Sequence, residues 1–201
     1  MGKSKIFKNC LALLLITLVA GAALACVNEI TKEPIAQAEE KAKLAAYNTV
    51  FTDAQFVSLD NEEELLAIAN GTESACTVDE VLAAEDENGN VLGYVMSVTS
   101  PLGYGGDIKI AVGISSESNT ITGFSVLSNS ETAGLGAKCT DEEFSSQFAG
   151  KTADGIEYVK GGGAQGDNQI DAISGATITT NAVTQGVNSA LDFYNNCLKE
   201  G

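Results

Sequence analysis

Three lysines and then a long charge-free run open the chain. Lys3, Lys5 and Lys8 precede residues 9–28, which carry no charged side chain before Glu29. As a helix rising 1.5 Å per residue, this run spans about 30 Å, the thickness of a bilayer's hydrocarbon core. The lysine bias predicts a cytoplasmic N-terminus, because Lys32 is offset by Glu29 and Glu33. Residues 1–30 are therefore expected to be a cytoplasmic tip and a transmembrane anchor. Two other readings share the run. Ala23-Leu24-Ala25 fits a small-x-small cleavage site, and Cys26 directly after it is a candidate for lipidation. A lipoprotein signal usually has a larger aliphatic residue where Ala23 stands.

Past the anchor the pattern changes repeatedly. Residues 31–50 read as an Ala-rich helix, with Thr31 as its cap and Pro34 in its first turn. A second, acidic helix is expected over 61–70, stopped by Asn70-Gly71. Apolar runs then fall at 81–84, 91–100, 108–114 and 121–127, separated by short polar turns of which Asn88-Gly89-Asn90 is the clearest. Adjacent strands with short turns predict an antiparallel meander. A short helix over 141–148 would face Phe144 and Phe148 to the sheet. A strand at 156–159 and a Gly-rich loop, KGGGAQGDNQ, precede a closing helix over 178–199. Val183, Val187, Ala190, Leu191, Tyr194 and Leu198 share one face of that helix. The fold class is α+β, with helices covering one sheet face.

Composition narrows the chemistry. The 201 residues include 27 acids, 11 Lys, no Arg and no His, for a net charge of −16. Clustered cations for nucleic acid are absent, and so are His-based nucleophile pairs and metal sites. Beyond residue 30, 8 Lys face 26 acids. The five cysteines form no CxxC, and the three outside the anchor, Cys76, Cys139 and Cys197, cannot all pair; free thiols are expected.

What remains is the segment before the last helix, DAISGATIT (171–179). Small residues and hydroxyls at a helix entrance have a plain structural use: Ser174 or Thr177 caps free N–H groups, and Gly175 permits a tight turn. The same features form an anion site without Arg, since the unpaired N–H groups and the helix dipole favour a phosphate. Both readings stand on the spacing alone.

DAISGAT, however, resembles the flavinylation motif Asp-x-x-Ser/Thr-Gly-Ala-Thr of FMN-binding domains. These are related to the Rnf-complex G-type protein and its counterpart, the C subunit of sodium-pumping NADH:quinone reductase. The resemblance covers nearly the whole chain. The anchor leading into TKEPIA is similar to the N-terminus of the Rnf G protein, GYGGDIKIAVGI to its glycine-rich strand entry, and SETAGLG to its Glu-Thr-Pro-Gly-Leu-Gly element. It departs from the family at Ala133, where a Pro is usual, and at Asn129, where a His is common.

The resemblance implies a covalent FMN-binding domain over 76–201, behind a helical connector at 31–75. FMN would be esterified through its phosphate to Thr177, near Ser174, Gly175, Ala176 and Thr179. Glu131 and Thr132 would lie near the flavin, Gly134, Leu135 and Gly136 would let the backbone approach it, and Tyr104 would stack on the ring or simply fill the core. Asp171 would be recognised during attachment by a flavin transferase.

No GxGxxG follows a predicted strand, so NADH oxidation here is not expected. An electron relay is expected instead, in a membrane complex that passes electrons between ferredoxin and NAD⁺ while moving Na⁺ or H⁺. Its FMN domain would lie outside the cytoplasm. Two alternatives remain open at the level of sequence. One is a free-standing membrane- or lipid-anchored flavoprotein for extracellular electron transfer, and the other a non-redox, pilin-like surface protein.

Overall fold

The computed structural model describes residues 3–71 and 74–199. The chain divides into two compact units, the second beginning at Lys43, inside the stretch expected to be a connector.

The first unit is helical. Helix α1, Lys3–Val50, runs without interruption through the position where a new helix was expected. Thr31 is not a cap. Its hydroxyl donates back to the Val27 carbonyl at 2.9 Å, and Pro34 stands inside the helix. A threonine hydroxyl serves both roles, so its type alone does not separate a helix start from a helix interior. The apolar part has a window of mean hydropathy 2.7, none of it buried within the protein. Thr17 satisfies its hydroxyl on Leu13 O and Leu14 O, as a polar group in lipid must. One helix of this length and composition near the N-terminus fits a membrane anchor.

The second unit is built on a five-stranded antiparallel sheet in simple sequential order. Its strands are β1 (Gln55–Ser58), β2 (Thr77–Glu85), β3 (Val91–Ser100), β4 (Ile108–Ser115) and β5 (Thr120–Ser128). The β2–β3 turn forms where Asn88-Gly89-Asn90 signalled it. Gly89 takes φ +81, and Asp86 accepts from the Asn88 and Asn90 N–H groups at 2.8 Å each. β1 has no clear signal in the sequence because it is a four-residue edge strand with mostly exposed side chains.

Both faces of the sheet are covered, rather than one. On the first lie α2 (Glu62–Asn70), the short α3 (Glu142–Ser145) and the long α4 (Thr177–Phe193). They enclose Met96, Val98, Ile108, Ile110, Val112 and Ile114 from the alternating positions of β3 and β4. Val183, Val187, Ala190, Leu191, Tyr194 and Leu198 are all buried there, as their spacing predicted. Each such large apolar side chain contributes about 1.5–3 kcal/mol by leaving water. Phe148 stacks on Phe124 with ring centres 4.4 Å apart, and Phe144 packs edge-on to both. The opposite face holds Tyr47, Val50 and Phe51 against Leu82, Val95 and Ala111. Tyr47 donates to Glu80, which also pairs with Lys43 at 3.0 Å. Burial, with that carboxylate beside it, pushes the Tyr47 phenol well above its usual range.

β6 (Glu157–Val159) and β7 (Gln169–Asp171) form a separate parallel pair around the Gly-rich loop. Gly161, Gly162 and Gly163 all adopt positive φ, and the Ala164 N–H donates to Asp171 Oδ1 at 2.7 Å. The loop is therefore tied back to the strand that leads into α4.

Candidate functional site

Three loops meet at one end of the sheet. The register Lys109↔Ser128 sets the β3–β4 loop beside the segment that follows β5. Helix α4 packs across β3 and β4 and brings its first turn to the same place. Gly186 allows this close approach, since a Cβ there would sit 2.9 Å from Ile110 Cδ1.

The loops enclose a cleft of about 570 Å³, within the range of small-molecule sites. Tyr104 comes from the β3–β4 loop, and Glu131, Thr132, Leu135 and Gly136 come from the post-β5 segment. Gly175, Ala176, Thr177, Ile178 and Thr179 come from the entrance to α4. Nine of these ten were candidates from the sequence. Ile178 was not, although it carried a signal: it lies about 140° around the helix from Val183, off the buried stripe. It is 54% exposed, beside Leu135 at 47% and Tyr104 at 71%, so the cleft mouth is apolar.

Two candidates stand elsewhere. Gly134 does not line the cleft; it takes φ +77 in the turn that Leu135 N closes onto Thr132 O. Ser174 lines a neighbouring cleft of about 450 Å³, together with Asp171, Lys138, Asp141 and Gln147. Asp171 is on that side as well, its N–H donating to Gln147 Oε1 at 2.6 Å.

The start of α4 bears on the two readings of SGAT. Ala176 occupies the N-cap, and no side chain caps the helix through it. The first helical bond is Thr180 N to Ala176 O. Neither Ser174 nor Thr177 acts as the expected cap, so the positive end of α4 opens toward the cleft. Thr180, one turn in, instead accepts from Ile173 N at 3.1 Å and donates to Ala176 O at 3.0 Å, which fixes the turn preceding the helix.

Glu131 binds the three loops together. Its Oε1 accepts from Gly105 N at 2.9 Å, and its Oε2 from Thr179 Oγ1 at 2.6 Å. Its own N–H donates to Asn129 Oδ1 at 3.0 Å. Below it, the buried Cys139 thiol is pushed up to about 11, first by desolvation and then by the Glu131 charge. Cys139 and Cys76 are free and buried, Cys197 free and half-buried.

Residues 103–192 match the FMN-binding domain family, and residues 1–50 match the RnfG N-terminal region. The G component of the Na(+)-translocating ferredoxin:NAD(+) oxidoreductase complex of Acetobacterium woodii is 36% identical over 197 residues, 96% of this chain and 94% of that protein. The chain belongs to the RnfG family. An Aliivibrio fischeri relative, the G component of an ion-translocating oxidoreductase complex, is 31% identical over 191 residues, 93% of this chain and 89% of its own. Among solved structures, Shewanella oneidensis NqrC superposes with a TM-score of 0.51 at 29% identity, over 57% of this chain and 58% of that one.

The cleft of this RnfG family member fits FMN on its own chemistry. Among the described residues no lysine lines it, so a phosphate would be held by backbone N–H groups and hydroxyls at the α4 entrance. The apolar rim of Leu135, Ile178 and Tyr104 suits a flat ring system. Gly136 marks a tight backbone approach, because a Cβ there would lie 2.2 Å from Glu131 Oε2 and 2.5 Å from Thr179 Oγ1.

Proposed function

We propose that this chain is the electron-relay subunit of its complex, carrying FMN esterified through the phosphate to Thr177 Oγ1. The observation that carries the reading is the position of Thr177. It is the first residue of α4, half-buried, on the wall of the cleft, at a helix start that no side chain caps. Attachment by a flavin transferase would form the Thr177 Oγ–P bond and break the pyrophosphate of FAD. AMP would leave, and the hydroxyl proton would pass to solvent. The chain needs no base of its own for this step. Asp171 and Ser174, on the adjoining cleft, are the residues such an enzyme would meet beside the acceptor threonine.

Bound FMN supplies the redox chemistry, and the protein supplies position and electrostatics. The backbone at the start of α4 would hold the phosphate, Thr177 would keep the cofactor from diffusing away, and Leu135, Ile178 and Tyr104 would offer the ring apolar surface. Relatives covered over 94% and 89% of their own lengths, the N-terminal region included, support a complex subunit over a free-standing flavoprotein. The partners would be the other membrane subunits.

Intact mass and in-gel fluorescence of the native protein test this. Wild type should carry FMN minus water. Thr177→Ala should lose all covalent flavin, while Ser174→Ala and Thr179→Ala retain some. Fluorescence that survives in Thr177→Ala and vanishes in Thr179→Ala would move the attachment site.

A further inference from the structure

We infer that Glu131 sets the reduction potential of the cleft's cofactor, its carboxylate held as a fixed negative charge in the cleft wall by the Gly105 N–H and the Thr179 hydroxyl. This rests on the flavin reading above.

Glycine backbone flanks Glu131 closely. A Cβ at Gly103 would come 2.8 Å from Oε1, and one at Gly136 would come 2.2 Å from Oε2. At Gly105 the backbone closes on the same segment, where a Cβ would meet Ser130 O at 2.1 Å. Glycine at these three positions lets the loops approach the carboxylate this closely. Both oxygens accept hydrogen bonds, at 2.9 and 2.6 Å, so the group is oriented from two sides. Two lysines of this region are engaged elsewhere: Lys109 pairs with Asp79 at 3.3 Å, and Lys138 lines the neighbouring cleft. Among the described residues no lysine lines the cleft itself. The Glu131 charge is also felt in the core beneath, where it helps raise the Cys139 thiol.

The consequence follows from sign. Each electron accepted in this cleft adds negative charge unless a proton accompanies it. A fixed carboxylate in the wall opposes that charge and lowers the potential. The role is electrostatic positioning, distinct from donating or accepting protons.

The test is a dithionite titration of the full-length, detergent-solubilised protein, with covalent flavin quantified by mass on the same samples. Glu131→Gln keeps the shape and a hydrogen-bonding group for both partners but removes the charge. Its midpoint potential should rise, while its unfolding temperature stays close to wild type. Glu131→Ala, a second neutral variant, should raise the potential as well. Thr179→Val keeps the charge and removes one tether, so it should lower the unfolding temperature without raising the potential. An unchanged potential in flavin-loaded Glu131→Gln would overturn the inference. So would a rise of the potential in Thr179→Val, which keeps the carboxylate and would assign the effect to loop distortion; this arm is readable even where neither neutral variant folds. Wild-type protein with no flavin would instead overturn the reading underneath, and this inference with it.

Discussion

Ala133 shows how much a single residue's backbone setting decides. It is the second residue of the turn 132–135, in which Leu135 N donates to Thr132 O and Gly134 takes the third position at φ +77. That is the arrangement of a type II turn, which favours proline at its second position. The closing bonds come from Leu135 N and Ala137 N, which proline at 133 leaves in place. Ala133→Pro should therefore stabilise the protein by about 0.4–1 kcal/mol through the unfolded chain. For a unit of this size that is roughly 1–4 °C in Tm, measurable by differential scanning fluorimetry. An unchanged or lower Tm would show that the turn's backbone does not admit the ring. Asn129 makes a related point. It stands where the family resemblance leads one to expect histidine, and its Oδ1 accepts the Glu131 N–H. Sequence could identify the substitution but not this use, because a loop hydrogen bond depends on backbone dihedrals that composition does not encode. Ser174 failed as a cap for the same reason: its type suits the task, but the chain turns it onto the adjoining cleft.

At the scale of elements, long periodic segments were legible, as were the short α3 and β6, while β1, β7 and the unbroken course of α1 were not. The closing helix and four of the five sheet strands followed from their apolar spacing. β1 and β7 are only four and three residues long, too short to show a period. The covering of the sheet's second face does have a signal in the sequence: Gly93, Gly113 and Gly123 interrupt β3, β4 and β5, and glycine inside a strand marks a close backbone approach. The end of α1 takes that space. The Thr122 hydroxyl donates to Val50 O at 2.6 Å, and a Cβ on Gly123 would lie 2.6 Å from Val50 Cα and 2.8 Å from Val50 O. These are backbone atoms, so neither can swing aside. Gly123→Ala should cost roughly 1–3 kcal/mol as overpacking. The full chain in detergent should then melt about 2–12 °C lower. A Tm within a degree of wild type would mean that the α1 end shifts to admit the methyl group.

At the scale of the molecule, charge and apolarity divide along the chain in a way that predicts its orientation. Lys3, Lys5 and Lys8 precede the charge-free run, while the residues beyond 30 carry 26 acids against 8 Lys. Cytoplasmic flanks are enriched in lysine, and the anionic surface of that leaflet repels an acidic domain. Both effects favour the N-terminus inside and the cleft-bearing unit outside. That side is also where a tether at Thr177 has most value, since a cofactor lost there is not easily replaced. Protease added to intact protoplasts or spheroplasts should then digest the chain from Thr31 onward, leaving an N-terminal fragment protected by the membrane. Detection through tags at each end separates the outcomes: the C-terminal signal should vanish while a short N-terminal one persists. A C-terminal signal that survives in intact cells and disappears only after lysis would reverse the orientation. It would also place Thr177 in the cytoplasm, and with it the site at which any flavin transferase must act.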